Sequence, residues 1–307
     1  MSLMHLLSTK DLSKDYIEKI MATAAEMEGY ALKKKQVDAQ GAMKGKILAA
    51  LFYEPSTRTR LSFETAMLRL GGQVISVADA QSSSLVKGES LEDTAKIVSQ
   101  YADIIAVRHP EVGSAKKMAD SASVPVINAG DGAGDHPTQA LLDLYTIIKE
   151  KGQVDELTVT LSGDLKNSRT ANSLIYLLAN YDVKFKFLAP EELKMKDEVK
   201  KFLKDKGLSF EETSDVEEGL SGTDVLYATR VQRERFKDAG EYEKLKDSFI
   251  FNRALLEKHN PKMLILHALP RVNEISKDVD DMPGAAYFRQ ASNGVSVRMA
   301  LISLLLA

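Results

Sequence analysis

The stretch ILAALFYEPSTRTRLSFETAMLRLGGQVISV, residues 47–77, contains the repeating unit of the fold. An apolar run of strand length, residues 47–53, stops before Pro55, and a helical pattern follows over residues 57–70. A second apolar run, residues 73–77, comes after two glycines. Strand, helix and strand in this order predict a β-α-β unit, in which both strands lie parallel in one sheet.

The same alternation continues along the chain, with one polar interruption at residues 150–155. Because the pattern restarts after this interruption, the sequence predicts two α/β halves with parallel sheets. A final, very apolar stretch, residues 291–306, is predicted to be a helix that packs into one half or across both. The other predicted elements are strands at 104–107, 124–127, 157–161, 183–188, 225–228 and 263–267, and helices after Ser13, at 91–101, 114–121, 137–149 and 168–181, and up to 206.

Composition excludes several classes of function. The chain has 307 residues, enough for about two domains, and no cysteine, which excludes disulfides, a thiolate nucleophile and sulfur-ligated metals. A net charge of -3 argues against a nucleic-acid partner, and no histidines have the HExxH spacing of a zinc site. The first residues lack the pattern of a signal peptide, and the most apolar segment is shorter than the ~20 residues of a membrane span. We therefore expect a cytoplasmic protein with no metal, cofactor, nucleic-acid or membrane partner.

The segment FYEPSTRTRLSFE, residues 52–64, predicts an anion site where a strand ends and a helix begins. Ser56 or Thr57 is available to cap the helix, whose first N–H groups and dipole favour a negative charge. Arg58 and Arg60 add guanidinium groups, which bind phosphate oxygens in pairs of hydrogen bonds. The alternative is a capped surface helix with chance arginines, since the glycine pattern of a P-loop is absent.

A second helix start, GDHPTQALLDL at residues 134–144, places polar side chains beside a predicted strand. Pro137 suits the first turn of the helix, and His136 and Gln139 lie at its mouth. An imidazole there can polarise a carbonyl oxygen, and a glutamine can bind an amide-like group. The alternative for His136 is a capping or packing role.

In the second half, three predicted strands also end in polar motifs. LSGDLKNSRTANSL at 161–174 lacks the full glycine fingerprint of a dinucleotide site, and Arg169 favours an anion instead. VLYATRVQRERF at 225–236 ends a strand with Arg230 and Gln232. A surface salt-bridge cluster is the alternative for its four charged residues, Arg230, Arg233, Glu234 and Arg235. ILHALPRVNEI at 265–275 contains Leu269-Pro270, a bond whose isomer the sequence leaves open.

Taken together, the cations near predicted strand ends indicate one concave site for small molecules that carry several negative charges. These cations are Arg58, Arg60, Lys87, Arg108, Arg169 and Arg230.

Seven motifs occur in the order that is typical of aspartate carbamoyltransferase catalytic chains, and the chain resembles that family over nearly its whole length. The Arg-Val-Gln-x-Glu-Arg motif resembles the aspartate-specific form, whereas ornithine enzymes typically have His-Cys-Leu-Pro where this chain has Ala268. Ala268 also departs from the aspartate family, in which proline is common there. The motifs are FYEPSTRTR, SSSLVKGES, VRHPEVG, GDHPTQALLDLYTI, SGDLKNSRTANSL, ATRVQRER and HALPRVNE.

The resemblance implies an enzyme that transfers a carbamoyl group from carbamoyl phosphate to L-aspartate, in pyrimidine biosynthesis. An ornithine or other amino-acid carbamoyltransferase is the alternative. The resemblance also implies two doubly wound α/β domains. Residues 1–150, joined by a returning helix at about 291–307, would bind carbamoyl phosphate, and residues 151–290 would bind aspartate. It further implies a homotrimer with active sites between subunits, and it leaves a separate regulatory chain open.

The resemblance assigns each candidate side chain a part of the substrates. By this resemblance, the phosphate is bound by Ser56, Thr57, Arg58, Thr59 and Arg108. The carbonyl oxygen is bound by Thr59, Arg108 and His136, and the carbamoyl nitrogen by Gln139 and the backbone carbonyl of Leu269, beside Pro270. Aspartate is bound by Arg169, Arg230 and Gln232, and the neighbouring chain contributes Ser84 and Lys87.

Overall fold

The computed structural model describes residues 4–34, 41–236 and 238–307, and the chain divides into two compact units. The first unit comprises the chain up to Tyr145 together with residues 291–307, and the second comprises residues 146–290. The predicted α/β class is confirmed, because each unit contains one all-parallel sheet with helices between its strands. The last helix contributes its larger part to the first unit, as the resemblance implied.

In chain order, the first unit contributes the following elements. They are α1 (Lys14–Ala31), β1 (Ile47–Phe52), α2 (Thr57–Arg69), β2 (Gln73–Val77), α3 (Leu91–Val98), β3 (Ile104–His109), α4 (Ser114–Ser121), β4 (Val126–Asp131) and α5 (Pro137–Lys151), which continues into the second unit.

The second unit continues the alternation. Its elements are β5 (Thr158–Ser162), α6 (Arg169–Leu178), β6 (Lys184–Leu188), α7 (Asp197–Asp205), β7 (Phe210–Thr213), α8 (Val216–Leu220), β8 (Val225–Ala228), α9 (Ala239–Leu245), α10 (Arg253–His259), β9 (Leu264–His267) and α11 (Tyr287–Leu305), which runs on into the first unit.

The sheet of the first unit has the strand order β2-β1-β3-β4, with every pair parallel. From β1 the chain passes through α2 to β2 on one side and later returns to β3 on the other side. The strand order therefore reverses between β1 and β3, where Phe52 pairs with Arg108. In open parallel sheets, ligands bind outside the carboxyl ends of the strands at this kind of reversal.

The second sheet follows the same rule with the order β7-β6-β5-β8-β9. The order reverses between β5 and β8, whose last residues, Ser162 and Ala228, are paired. Each unit therefore has one crevice that its own topology predicts as a ligand site. The segments that follow β1, β5 and β8 carry half of the candidate residues, and Arg108 lies near the end of β3. Those in the three segments are Ser56, Thr57, Arg58, Thr59, Arg169, Arg230 and Gln232.

Several elements differ from the sequence predictions for local reasons. β7 was not predicted, because this edge strand is half exposed and its residues Glu211 and Glu212 give no apolar alternation. The short helices α8 to α10 were also missed, since five to seven residues are too few to show a helical period. α11 begins at Tyr287, four residues before the predicted start.

Candidate active site

The start of α2 is open to an anion at the reversal point of the first sheet. Ser56 is the N-cap residue with an extended backbone, φ −161°, and its side chain makes no capping hydrogen bond. The first N–H groups of the helix therefore lack a side-chain acceptor, which leaves the positive helix end available to a ligand. Thr57 and Arg58 are exposed there, whereas Thr59 is 8% exposed.

Arg108 lies beside this helix start because β3 is the neighbour of β1. Its carbonyl oxygen accepts a hydrogen bond of 2.8 Å from the Tyr53 N–H, and its Nη2 lies 3.3 Å from Glu54 Oε1. Tyr53 and Glu54 immediately precede Pro55 and Ser56 in sequence. The structure therefore places Arg108 next to the residues that immediately precede the Ser-Thr-Arg-Thr-Arg segment.

His136 and Gln139 lie at the start of α5, which follows β4, the strand next to β3. His136 is 3% exposed, and its backbone N–H donates to Asp135 Oδ1 over 2.7 Å. Gln139 donates from Nε2 to Asp143 Oδ1 over 2.8 Å. Because this bond uses the amide nitrogen, it leaves Gln139 Oε1 as the atom that can accept a hydrogen bond from a ligand N–H.

Arg298 on α11 packs against the start of α5, a role that no local pattern in the sequence indicates. Its side chain is buried, with Nη2 3.3 Å from Thr138 Oγ1 and the guanidinium carbon 5.0 Å from the centre of the Phe63 ring. Burial lowers the pKa of Arg298 to about 9, although the Asp143 carboxylate opposes that shift. The signal in the sequence was a single charged residue inside the most apolar segment of the chain.

Ser84 and Lys87 lie apart from these groups, on the exposed 3-10 turn Ser84–Lys87 between β2 and α3. Ser83 caps this turn by accepting from the Leu85 N–H, and Gly88 ends it with φ +88°. In the described part of the chain, the Lys87 ammonium group has no hydrogen bond or ion pair. Within the described residues, neither the Ser84 nor the Lys87 side chain has a hydrogen bond or an ion pair with the start of α2.

In the second unit, Asp164 ties together the loops that follow β5 and β8. Its side chain is fully buried and accepts from the Asn167 N–H at 3.1 Å and the Gln232 N–H at 3.3 Å. Burial raises the pKa of Asp164, and these hydrogen bonds oppose the rise. Arg169 begins α6 in the same region, after the N-cap Ser168. The candidate residues Arg169 and Gln232 therefore both lie at the reversal point of the second sheet.

Arg230 follows β8 and is already paired with a carboxylate. Its Nη1 donates to Glu234 Oε2 over 3.0 Å, and its Nη2 is bonded to the other oxygen of the same group. The hydrogen bond that Arg230 donates to Glu234 raises the pKa of Arg230, although partial burial opposes that rise. Arg230 and Glu234 thus form the surface salt bridge that was the alternative interpretation of this motif. The salt bridge uses only one edge of the Arg230 guanidinium. The Nε edge remains as a second donor face.

The Leu269-Pro270 peptide, which the sequence left open, is cis. It follows β9 in a turn where Leu269 has φ +57°, an unusual value for a residue other than glycine. The Leu269 N–H donates to His267 Nδ1 over 2.8 Å. His267 therefore supports a candidate binding residue, a role that its position in the sequence did not indicate.

Gly163 allows the ends of β5 and β8 to approach each other. Its φ is +106°, and a Cβ atom added there would lie 2.1 Å from the Thr229 carbonyl oxygen. Thr229 in turn donates its N–H to the Ser162 carbonyl over 2.8 Å. A side chain at position 163 would therefore push apart the two loops that carry Arg169 and Arg230.

We expect Gly163→Ala to lower the free energy of unfolding by about 3 kcal/mol, because it combines a left-handed backbone with a clash against main chain. Gly152→Ala is the matched control, since Gly152 has φ +81° but no atom within 4 Å of the added Cβ. Its cost should be about 1 kcal/mol. Urea titrations of both variants measure the difference, and equal losses would contradict the close approach.

No cluster of three or more His, Asp or Glu side chains that could hold a metal ion occurs within residues 4–34, 41–236 and 238–307. Over the same residues, no helix has both the length and the apolarity that crossing a membrane requires. The candidate residues of each unit are therefore cations, hydroxyls and backbone N–H groups at the carboxyl ends of its own strands.

Two family models match the chain, one for each half. Residues 4–149 match the "aspartate/ornithine carbamoyltransferase, carbamoyl-P binding domain", and residues 155–305 match the "aspartate/ornithine carbamoyltransferase, Asp/Orn binding domain".

Individual relatives cover the chain almost completely. The aspartate carbamoyltransferase catalytic subunit of Leptospira biflexa is 50% identical over 300 residues, which are 98% of this chain and 96% of that protein. The chain covers only 13% of another relative, the multifunctional protein pyr1-3 of Dictyostelium discoideum, which is 49% identical over 300 residues.

Solved structures are similar over the same extent. The catalytic subunit of Methanocaldococcus jannaschii aspartate transcarbamoylase superposes with a TM-score of 0.91 at 48% identity and covers 99% of this chain and 98% of its own. Aspartate transcarbamoylase from Trypanosoma cruzi, solved in complex with carbamoyl aspartate and phosphate, gives a TM-score of 0.91 at 37% identity, over 99% of this chain and 96% of that one.

Proposed function

The chain belongs to the aspartate/ornithine carbamoyltransferase family, and from this we propose that it transfers the carbamoyl group of carbamoyl phosphate to the amine of L-aspartate. The products are N-carbamoyl-L-aspartate and phosphate, and the activity belongs to pyrimidine biosynthesis in the cytoplasm. The observation that carries the proposal is the uncapped start of α2 beside Arg108, at the reversal point of the first sheet. That arrangement suits a phosphate group.

The phosphate of carbamoyl phosphate binds at the start of α2. The hydroxyls of Ser56 and Thr57, the helix N–H groups and the guanidinium of Arg58 donate to its oxygens. Arg108 adds a second guanidinium from β3. Because the leaving phosphate gains negative charge as the bond to the carbamoyl carbon breaks, these donors stabilise the transition state more than the bound substrate.

The carbamoyl group itself is held at two atoms, its carbonyl oxygen and its nitrogen. Thr59, Arg108 and His136 donate to the carbonyl oxygen, where negative charge builds up during the attack. Gln139 Oε1 accepts from the carbamoyl nitrogen, and the Leu269 carbonyl accepts from the same NH2 group. Pro270 fixes the chain direction after Leu269.

Aspartate attacks the carbamoyl carbon with its neutral amine. The new C–N bond forms, the bond from carbon to the phosphate oxygen breaks, and the leaving phosphate accepts the proton of the amine. No nucleophile from the protein is needed, so catalysis rests on placing two anionic substrates side by side and on donors for the developing charge. Arg169, Arg230 and Gln232 bind the two carboxylates of aspartate.

One assay tests the function directly: carbamoyl phosphate and L-aspartate are incubated with the purified enzyme, and phosphate and carbamoyl aspartate are measured together. Equimolar formation of both products, absent without either substrate, is the expected result. Phosphate release that does not depend on aspartate would contradict the proposal.

We further propose a homotrimer in which a neighbouring subunit contributes Ser84 and Lys87. The proposal is supported by apolar side chains that the first unit leaves exposed. Leu61 and Leu68 lie seven residues apart on one face of α2, and Ile75 lies on the edge strand β2. An apolar helix face and an open sheet edge are surfaces that a second copy of the chain can cover.

If Lys87 acts in a neighbour's site, two inactive variants should restore each other. After subunit exchange between Lys87→Ala and Arg58→Ala enzymes, some sites contain neither change, so turnover should rise above that of both parents. Mixing Arg58→Ala with Arg108→Ala is the control, because both residues come from the same chain and no intact site can form. Mixed trimers that stay inactive in the first experiment would show that each chain builds its own site.

A further inference from the structure

We propose that His267 and Glu274 form a positioning pair that clamps the turn from Leu269 to Val272 and thereby sets the direction of the Leu269 carbonyl. The inference rests on the proposed function, in which that carbonyl accepts from the carbamoyl nitrogen. Neither residue of the pair is expected to contact the substrate. Both side chains are buried, at 3% and 6% exposed, so they can hold the turn without competition from water.

The hydrogen bonds fix the protonation state of His267. Its Nδ1 accepts from the Leu269 N–H over 2.8 Å, so Nδ1 cannot carry a proton. The ring is therefore the neutral tautomer with its proton on Nε2, and Nε2 lies 2.7 Å from Glu274 Oε1. Glu274 thus accepts a hydrogen bond from the imidazole Nε2–H and stabilises the tautomer in which Nδ1 can accept from the Leu269 N–H.

Glu274 reaches the other end of the same turn. Its second oxygen, Oε2, accepts from the N–H groups of Val272 and Asn273, both over 3.1 Å. Burial raises the pKa of Glu274, but the hydrogen bonds from His267 and from the backbone outweigh burial and leave it below its usual value. The side chain is therefore a carboxylate that accepts three hydrogen bonds, and the pair holds the turn before and after residues 270 and 271.

Both members of the pair are themselves anchored to regular structure. His267 ends β9, where it pairs with Ala228, and its N–H donates to Gln290 Oε1 over 2.9 Å. The Glu274 carbonyl accepts from the Phe251 N–H over 2.9 Å, beside the bridge between Phe251 and Ile275. The pair therefore connects the turn to the end of β9, whose position the sheet fixes.

The turn needs such support because of its backbone. Leu269 has φ +57°, a left-handed conformation that is unfavourable for a leucine because its Cβ comes close to the backbone. Residues in this region persist where the surroundings hold them, and they concentrate at functional sites. The Leu269 N–H belongs to the peptide plane between Ala268 and Leu269, and the acceptor at Nδ1 anchors that plane. Without this anchor the backbone at Leu269 would be free to change its φ and ψ angles, and the carbonyl in the following peptide plane would lose its fixed direction.

The test compares carbamoyl phosphate with acetyl phosphate, which carries a methyl group where carbamoyl phosphate has its NH2. Only carbamoyl phosphate can donate to the Leu269 carbonyl and to Gln139 Oε1. A change in the ratio of the two dissociation constants when residue 267 is replaced, with Gln139 intact, therefore reports on the Leu269 carbonyl. In His267→Gln the side-chain nitrogen can still reach Glu274, but the acceptor beside Leu269 is lost. We expect the preference for carbamoyl phosphate to fall about fivefold or more, measured by titration calorimetry on the intact enzyme.

His267→Asn is the matched variant, because its Oδ1 takes the place of Nδ1 and keeps the bond to Leu269 while it loses the bond to Glu274. It should keep at least about half of the wild-type preference. A purely structural role of His267 would weaken both ligands equally in both variants and leave the ratio unchanged. If His267→Gln does not fold, Glu274→Gln replaces it, since its NH2 group would face the Val272 and Asn273 N–H donors and release the turn.

The outcomes separate this inference from the proposed function. A wild-type enzyme that prefers carbamoyl phosphate and a His267→Gln variant with the same preference would overturn the inference alone. Equal losses in His267→Gln and His267→Asn would also overturn it, because the acceptor position would then not matter. A wild-type enzyme that binds both phosphates equally would overturn the role of the Leu269 carbonyl in the proposed function and the inference with it.

Discussion

Replacing Arg58 with alanine is expected to lower kcat by about a hundredfold or more, with little change in stability. Arg58 is exposed in the first turn of α2, and among the described residues its guanidinium has no hydrogen bond or ion pair. A cation held at a helix start without a protein partner is available to the phosphate. Its interaction strengthens as the phosphate leaves, so the loss appears in turnover rather than in folding.

Arg69→Ala is the control for this prediction, because Arg69 lies in the last turn of the same helix. It removes the same charge and side chain at the opposite end of α2, and kcat should stay within about twofold of wild type. Arg58→Lys should fall between the two, since it keeps the charge and loses the paired N–H donors. Near-normal turnover of folded Arg58→Ala enzyme would exclude Arg58 from the phosphate site.

The sequence was sufficient to predict the two α/β halves, because buried parallel strands are short apolar runs with helices between them. The proposed anion site at Ser56 to Thr59 also rests on a local signal in the sequence: a strand stop, a cap and cations within a few residues. Both were properties of neighbouring residues in the chain.

What the sequence did not reveal depends on contacts between distant or differently oriented residues. Arg298 supports the start of α5 from 160 positions away, and no local pattern connects it with Thr138. His267 and Glu274 are only seven residues apart, but their pairing requires the chain to reverse between them at Leu269. The bidentate pair of Arg230 with Glu234 was visible only as a cluster of charges, and its geometry determines which donor edge remains for a ligand.

The choice of amino-acid substrate follows from that geometry. Glu234 occupies the two terminal nitrogens of Arg230, and the Nε edge remains for a carboxylate of the substrate. Aspartate offers two carboxylates for Arg169 and Arg230, whereas ornithine offers one carboxylate and an ammonium group. An ammonium against Arg230 would face a like charge in a half-buried site, so we expect a preference for aspartate of at least about a hundredfold.

Arg230→Ala should therefore lower kcat/KM for aspartate by about a hundredfold, while carbamoyl phosphate binds nearly as in wild type. The reason is that Arg230 belongs to the second unit, whereas Arg58 and Arg108, the proposed phosphate donors, belong to the first. Arg233→Ala is the control, because Arg233 is an exposed arginine of the same loop. Steady-state kinetics with aspartate and ornithine, beside calorimetric titration with carbamoyl phosphate, measure both parts. Comparable wild-type rates on ornithine, or loss of carbamoyl phosphate binding in folded Arg230→Ala enzyme, would remove Arg230 from the acceptor site.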